Sequence, residues 1–383
     1  MKTLQKFIII LILLFSIQTH SKASENIKIG LIVPLTGEYS EIGKSILNAT
    51  RLALNSIDDS RFEILPRDTQ SDPELTLKVS RDLYFNDNVE IILGPLFNNS
   101  TKYLDKIPEV TFVSFTNKLK GNHSNVISSG VNAVSQIKAI KKFKTKKGLE
   151  RTIFLIPNSD FKLEIESAIA KTQIKIKDKF TYDTDPTLLT SQIEKITNYP
   201  RRKQNLLDEI TRVEDSDDPN KEKIIKNLEK KDTIGGINFD SVVIADFDEN
   251  LKSVTTSLLY SDVSSKRVSY ISLNQWFDDT LLKETSLQPL YFPSINKKNY
   301  ENFEKEYFDN FRSNPNQISF LSYDLTGLIY YLLYKNNFEV DKKIFYKKNK
   351  FLGKIGVFEI NKNIITHELS FYSVEENNFK KIF

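Results

Sequence analysis

The chain has 383 residues, no cysteine, and a formal charge of +4 from 54 basic and 50 acidic side chains. Disulfides, thiolate zinc sites and catalytic thiols are therefore excluded, and so nearly balanced a charge argues against a nucleic-acid partner, which requires a basic face. The length exceeds one ordinary hydrophobic core, so two lobes are expected.

Residues 1–23 read as a signal peptide. Lys2 and Lys6 precede the short apolar run Phe7–Ile17, and Ser21-Lys22-Ala23 places small residues before a cut. The run is too short for a membrane span, and no later stretch is long enough either. Removing Lys2, Lys6 and Lys22 lowers the charge from +4 to +1. The expected location is the periplasm, without a lipid anchor, because a lipoprotein needs a cysteine at the cut.

The stretch from Asn26 to Ile57 sets the pattern. Ile27–Val33 is a β-branched run that suits an inner parallel strand. Pro34–Ile42 is a loop, and Gly43–Ile57 is an amphipathic helix with Ile46, Leu47, Leu54 and Ile57 on one face. Gly37 and Gly43-Lys44-Ser45 imitate a phosphate loop, but the spacing is one residue too long and Glu38 and Glu41 would repel a phosphate. A second strand follows at Phe62–Leu65. Asp72-Pro73 then opens a helix, with Leu75, Val79 and Leu83 expected on its core face. Strands at Val89–Leu93 and Val110–Phe115 complete a βα alternation that predicts a doubly wound parallel sheet.

The pattern restarts with a helix at Ala133–Phe143 and a strand at Thr152–Ile156. Short strands are predicted at Ile174–Ile176 and Phe180–Tyr182, a helix at Leu188–Ile196, and further elements at Ser241–Ala245, Leu251–Tyr260 and Val268–Leu273. Between them, residues 198–238 are highly charged but keep apolar residues at helical spacing, with Asp215–Pro219 as a break. They read as a helical hairpin inserted into the second lobe, either a solvated surface or a partner-docking arm. The tail offers helices at Glu301–Phe311 and Leu321–Tyr334, then a strand hairpin at Gly353–Asn361 and Ile364–Val374. The expected partition is 24–130 plus 294–336 for the first lobe and 131–293 plus 337–383 for the second.

Catalysis has little material. Only His123 and His367 follow the leader; neither has a metal partner at a recognised spacing, His367 reads as exposed, and there is no Gly-x-Ser-x-Gly elbow. No cofactor, metal or enzymatic activity is expected. Binding has better material. In open α/β folds, loops at the carboxyl ends of strands border the ligand crevice. Here they carry Tyr39 with Thr36 and Ser40, then Asn98, Asn99, Ser100 and Thr101, then Ser114, Thr116 and Asn117. These suit a ligand carboxylate, although each is also an ordinary helix cap. From the second lobe, Asp160, Phe161, Asp246 and Trp276 would face them, the acids toward an ammonium group and the aromatics as cover, or else as caps and core.

Several segments carry a resemblance: IGLIVPLTGEYSEIGKSILNATRLAL (29–54), Asp68 to Pro73, ILGPLF with Asn-Ser-Thr (92–101), VSFTN (113–117) and YDLTGLIYYL (323–332). In these the chain resembles the type I periplasmic binding proteins of the leucine-binding, branched-chain amino acid group. The resemblance implies two lobes joined by three crossing strands that close on an amino acid or related carboxylate for a membrane permease. It implies a carboxylate holder at Asn99–Thr101 with Ser114 and Thr116, and an amine partner at Asp246. At Asp160-Phe161 the group's usual Tyr-Gly is absent. Segments 197–209, 228–247 and 268–279 also look like a branch of penicillin-binding protein activators. That resemblance implies the alternative, a regulator of peptidoglycan synthesis whose partner is a peptidoglycan synthase.

Overall fold

The computed structural model describes residues 26–119, 121 and 123–383; the leader expected at 1–23 lies outside them. The chain begins with β1 (Ile27–Val33), α1 (Ser40–Ile57), β2 (Phe62–Asp68), α2 (Pro73–Asp87), β3 (Ile91–Leu93), β4 (Thr111–Ser114) and β5 (Val126–Ser128). It continues with α3 (Ala133–Lys147), β6 (Thr152–Pro157), α4 (Lys162–Thr172), β7 (Asp178–Tyr182), α5 (Pro186–Ile196), α6 (Tyr199–Glu214) and α7 (Lys221–Leu228). Next come β8 (Ser241–Ile244), α8 (Asp248–Tyr260), β9 (Ser269–Ser272), α9 (Thr280–Lys283) and β10 (Leu290–Ser294). The tail holds α10 (Lys297–Phe311), α11 (Ser319–Lys335), β11 (Asn349–Leu352), β12 (Val357–Asn361), β13 (Ile364–Glu368), β14 (Ser370–Glu375) and β15 (Asn378–Lys381).

These strands form two sheets, in the orders β11-β12-β13-β5-β4-β3-β1-β2 and β15-β14-β10-β9-β8-β6-β7. The pairs among β1 to β5 are parallel, as are those among β6 to β10. Strand β1 lies between β2 and β3 and is buried from Ile29 onward, as an inner strand covered on both faces must be. Helix α1 packs on it so closely that a Cβ at Gly43 would fall 1.7 Å from the Pro34 carbonyl oxygen. The helix starts three residues earlier than its hydrophobic pattern predicts. It also buries a wider face than predicted, because α11 covers its other side: Thr50 Oγ1 and Ser322 Oγ lie 2.5 Å apart.

The core face of α2 is turned from the expected one. Thr76, Ser80 and Leu83 are the buried residues, with Leu75 and Val79 at the margin. Thr76 and Ser80 bury their hydroxyls by donating to the carbonyls of Asp72 and Thr76, four residues back. Asp72 caps the helix as predicted, accepting from Leu75 N at 2.6 Å. In the second lobe only one strand, Asp178–Tyr182, forms where two were expected, while β5 and β10 were not anticipated.

The tail corrects the expected partition. Strands β11, β12 and β13 belong to the first sheet, with Ile364 beside Ser128, and only β14 and β15 join the second. The predicted strand Ile364–Val374 is therefore two strands, with Leu369 in the crossing between lobes. A buried carboxylate holds this tail to the first lobe. Asp324 on α11 accepts backbone N–H bonds from Lys354 (2.8 Å), Ile355 (3.2 Å) and Gly356 (3.3 Å). A Cβ at Gly353 would lie 2.4 Å from the Asp324 carboxylate, so the turn closes on it only with glycine there. His367, expected to be exposed, is buried in β13 with Nε2 2.7 Å from the Ser129 carbonyl oxygen, and burial lowers its pKa.

Residues 199–228 form the predicted helical hairpin. Leu206, Val213 and Leu228 make a small core of their own with Ile210, Ile224 and Ile225. Arg202 anchors it. This guanidinium is 3% exposed and donates to the carbonyls of Thr197 and Ser261 and to Thr233 Oγ1, with Asp262 at 3.6 Å.

Two stability predictions follow from these anchors. Replacing Arg202 with Met should destabilise by about 3 kcal/mol, because it leaves buried acceptors unpaired. Limited proteolysis should then cut first within 199–231; unchanged protection there would remove the anchoring role. Burial pushes the Asp324 carboxyl up to about 6, against the pull of its three N–H donors. A raised carboxyl pKa favours folding when protonated. The Asp324 contribution should therefore be fully present below pH 4 and be lost as pH rises through 6, with a decline of about 2 kcal/mol between pH 4 and pH 6. The difference in stability between the wild type and D324N, measured by denaturant melts across pH 4–7, should show that decline.

Candidate functional site

The carboxyl ends of β1 to β4 lie on one edge of the first sheet, and those of β6 to β9 on one edge of the second. On the first edge, Asp68 ties two loops together. Its carboxylate accepts from Leu35 N (2.8 Å), Thr36 N (3.3 Å), Gln70 N (3.0 Å) and Thr36 Oγ1 (2.5 Å). Burial raises the Asp68 pKa, but these bonds outweigh it and the net shift is downward. Asp68 thus fixes the β1 and β2 loops and has little capacity left for a ligand.

The hydroxyls predicted to receive a carboxylate have internal partners. Ser114 Oγ donates to the Pro95 carbonyl at 2.8 Å, and Thr116 Oγ1 donates to the Lys118 carbonyl at 2.7 Å. Ser100 Oγ reaches the Ser71 carbonyl at 3.3 Å and Thr101 Oγ1 the Asn98 carbonyl at 2.7 Å. Asn99 is exposed. Tyr39 lies at the mouth of this edge, its ring edge-on to Phe97 at 4.6 Å.

On the facing edge, Asp246 is 3% exposed and fully engaged. It accepts from Tyr182 OH (2.6 Å), Phe247 N (2.9 Å) and Asn250 Nδ2 (3.3 Å). Burial, with Asp246 beside it, raises the Tyr182 pKa far above the usual range, so the hydroxyl stays a donor. Asp160 is exposed, and Phe161 is half-buried against Phe247 at 6.1 Å. Trp276 reaches the other lobe: its carbonyl accepts from Gln317 Nε2 at 3.0 Å, and its ring lies 6.0 Å from Phe320. Three buried polar atoms on these edges have no partner among the described residues: Ser71 Oγ, Ser159 Oγ and Asn274 Nδ2.

The charged groups that do face each other between the lobes lie one step along the same edge. A cavity of about 290 Å³ opens between the loop after β4 and helix α4. Asn117, Lys118 and Ser128 line one wall, and Glu164, Ser167 and Lys171 the other. Lys118 Nζ stands 4.0 Å from Glu164 Oε2. Burial raises the Glu164 pKa, while Lys118 and the Ala133 N–H draw it back. Of these six residues only Asn117 stood among the strand-end candidates. The signal was present in α4, where Glu164, Ser167, Ala168 and Lys171 recur at helical spacing and mark one face. Among the described residues no cluster of three or more His, Asp or Glu is placed to hold a metal, and no helix is long and apolar enough to cross a membrane.

This geometry accords with known proteins. Residues 26–197 match the family model described as "Periplasmic binding protein". The fold matches a branched-chain amino acid ABC transporter periplasmic ligand-binding protein from Burkholderia xenovorans (TM-score 0.64, 10% identity, 93% of this chain and 94% of that one). It also matches the branched-chain amino acid transporter substrate-binding protein LivJ from Streptococcus pneumoniae, solved with isoleucine (TM-score 0.52, 15% identity, 94% and 99%). A third match is the C-domain of LpoA from Haemophilus influenzae, a regulator of PBP1A (TM-score 0.61, 12% identity, 93% and 100%). Among curated proteins none matches significantly. The fold is the two-lobed α/β architecture of the type I periplasmic binding proteins.

The bonds to Asp246 lead to a stability prediction. D246A should cost about 2 kcal/mol, since it strands the buried Tyr182 hydroxyl and the Phe247 N–H. A drop in melting temperature without any ligand present would register this. An unchanged melt would assign Asp246 to ligand binding instead.

Proposed function

We propose that this protein is a periplasmic solute-binding protein, without enzymatic activity, that closes its two lobes on a small polar carboxylate such as an amino acid and presents it to an ABC permease. The observation that carries this reading is the cavity between the lobes, walled by Lys118 and Lys171 with Glu164. Its volume lies at the lower end of the range for small-molecule sites, where a few placed polar groups fix orientation. Two lysines supply partners for a carboxylate, and the half-buried Glu164 supplies one for an amine or a hydroxyl. Groups on both walls give the ligand contacts that only the closed arrangement completes. A ligand with that differential affinity shifts the population of closed molecules. The unpartnered Ser71, Ser159 and Asn274 add hydrogen-bonding capacity along the same edges.

A second reading, regulation of a peptidoglycan synthase through protein contacts, has one observation in its favour. The inserted hairpin of α6 and α7 carries its own small core and leaves most of its residues exposed. That is more structure than a solute clamp requires.

Thermal melting against amino acids and small organic carboxylates decides between them. A ligand at about 100 times its dissociation constant adds roughly 2.7 kcal/mol, a shift of a few degrees for a chain of this size. Such a shift with one chemical class is expected, and K118A and E164Q should abolish it while their unliganded melts stay within about a degree of the parent, as for partly exposed groups. No shift across the panel would overturn the solute reading and favour the regulator.

A further inference from the structure

A second cavity, of about 550 Å³, lies away from the strand-end loops, where the chain passes between the lobes. Its floor is apolar: Ala139 on α3, Ile355 and Val357 from the β11–β12 turn, and the Phe383 ring. Leu352 on its rim is 85% exposed, a large apolar side chain with nothing covering it.

One wall is basic. Helix α3 carries six lysines, and three of them have oxygen partners. Lys141 donates to the Thr172 carbonyl, Lys144 to the Leu149 carbonyl and Thr152 Oγ1, and Lys147 to Tyr291 OH. Among the described residues Lys138, Lys142 and Lys146 have neither an ion pair nor a hydrogen bond, and the first two line the cavity. The Lys142 ammonium sits 4.2 Å over the Phe383 ring, which holds it at the cavity mouth. The acid in the lining, Glu368, is paired with Lys350 at 2.5 Å and does not cancel them. Asn299 spans the far side, its Nδ2 donating to the Ile355 carbonyl at 3.3 Å.

We propose that this cavity is a second binding site, for a small amphipathic anion: an apolar body against Ile355, Val357 and Phe383, with a carboxylate or phosphate head at Lys138 and Lys142. The site shares no lining residue with the cleft cavity. Its walls come from both lobes and from the crossings between them, since β13 is in the first sheet and α3 packs both on β13 and on the second lobe's β10 and β14. An occupant therefore touches groups whose spacing changes when the lobes move, so its affinity is coupled to closure, and the coupling is reciprocal.

Isothermal titration with sodium octanoate and octyl phosphate tests the site, with octanol as the neutral control. At least one anion should bind, at least about tenfold more tightly than octanol, as expected when a charged head finds two unpaired ammonium groups. The better of the two identifies the head group. K138E/K142E changes only exposed, unpaired side chains and should weaken anion binding by at least about tenfold, whereas K138R/K142R should retain it. K118A, in the cleft, should bind both anions like the parent, which keeps a failure here distinguishable from a failure of the solute reading. The proposal is overturned by absence of binding for both anions at millimolar concentration. Equal binding of octanol, or no response to the charge reversal, would overturn it as well.

Discussion

The structure depends on one shared core. Residues from both sheets fall in a single apolar cluster, and α3 joins them. Phe143 on this helix stacks on Phe371 of β14 at 4.3 Å and lies 4.9 Å from Tyr291 of β10. Just before it, Asn132 holds the helix start to the first lobe: its Nδ2 donates to the Ile365 carbonyl, and its Oδ1 accepts from Ser135 N. The first crossing between lobes is thus fixed at both ends, by a polar cap on one sheet and an aromatic stack on the other. Each large buried ring contributes on the order of 2–3 kcal/mol of transfer free energy, so no single polar contact at the cleft competes with this joint.

Much of the fold was legible because the chain alternates buried strand with amphipathic helix, and that alternation has few solutions. The first strand, the Asp72 cap, the apolar α11 and the charged hairpin all lie where their residues place them. What failed had physical causes. Thr76 and Ser80 are polar by any hydropathy rule yet line a core, because each hydroxyl bonds a carbonyl of its own helix. The second sheet's share of the tail was overstated because periodicity does not reveal where a chain crosses. Strands β13 and β14 read as one continuous alternating run, and only Leu369 separates them. Strand β5 has only three residues and no Gly-Pro signal after it, unlike the equally short β3, which runs into Gly94-Pro95.

The site was less legible than the fold, for a related reason. Hydroxyls and carboxylates at strand ends were the obvious candidates to hold a ligand, and the structure uses most of them to hold the loops. Asp68, Ser114, Thr116 and Asp246 each bind backbone or neighbouring side chains on their own lobe. A buried polar group must find a partner, and the nearest one is usually the turn it sits in. Residue type at a strand end therefore reveals that a loop is built, not what the loop receives. Lys118 and Glu164 differ because they meet across the gap between lobes rather than within one.

That difference also explains why the two cavities can act on one motion. The cleft cavity draws its charges from the loop after β4 and from α4, so it tightens as the sheet edges approach. The cavity at the crossings draws on α3, the β11–β12 turn and Leu369. The turn is held to α11 by the Asp324 carboxylate, so it moves with the first lobe. Helix α3 is stacked on the second lobe through Phe143 while its start is held to the first lobe's β13 through Asn132 and Ser135. Rotation about the crossings would shift the Lys142–Phe143 end of α3 relative to that turn as the distance between Lys118 and Glu164 changes. Interfaces this well packed switch between discrete arrangements rather than deforming smoothly. A group bound at either cavity therefore acts on the same equilibrium, in a direction set by whether closure narrows or widens its own walls.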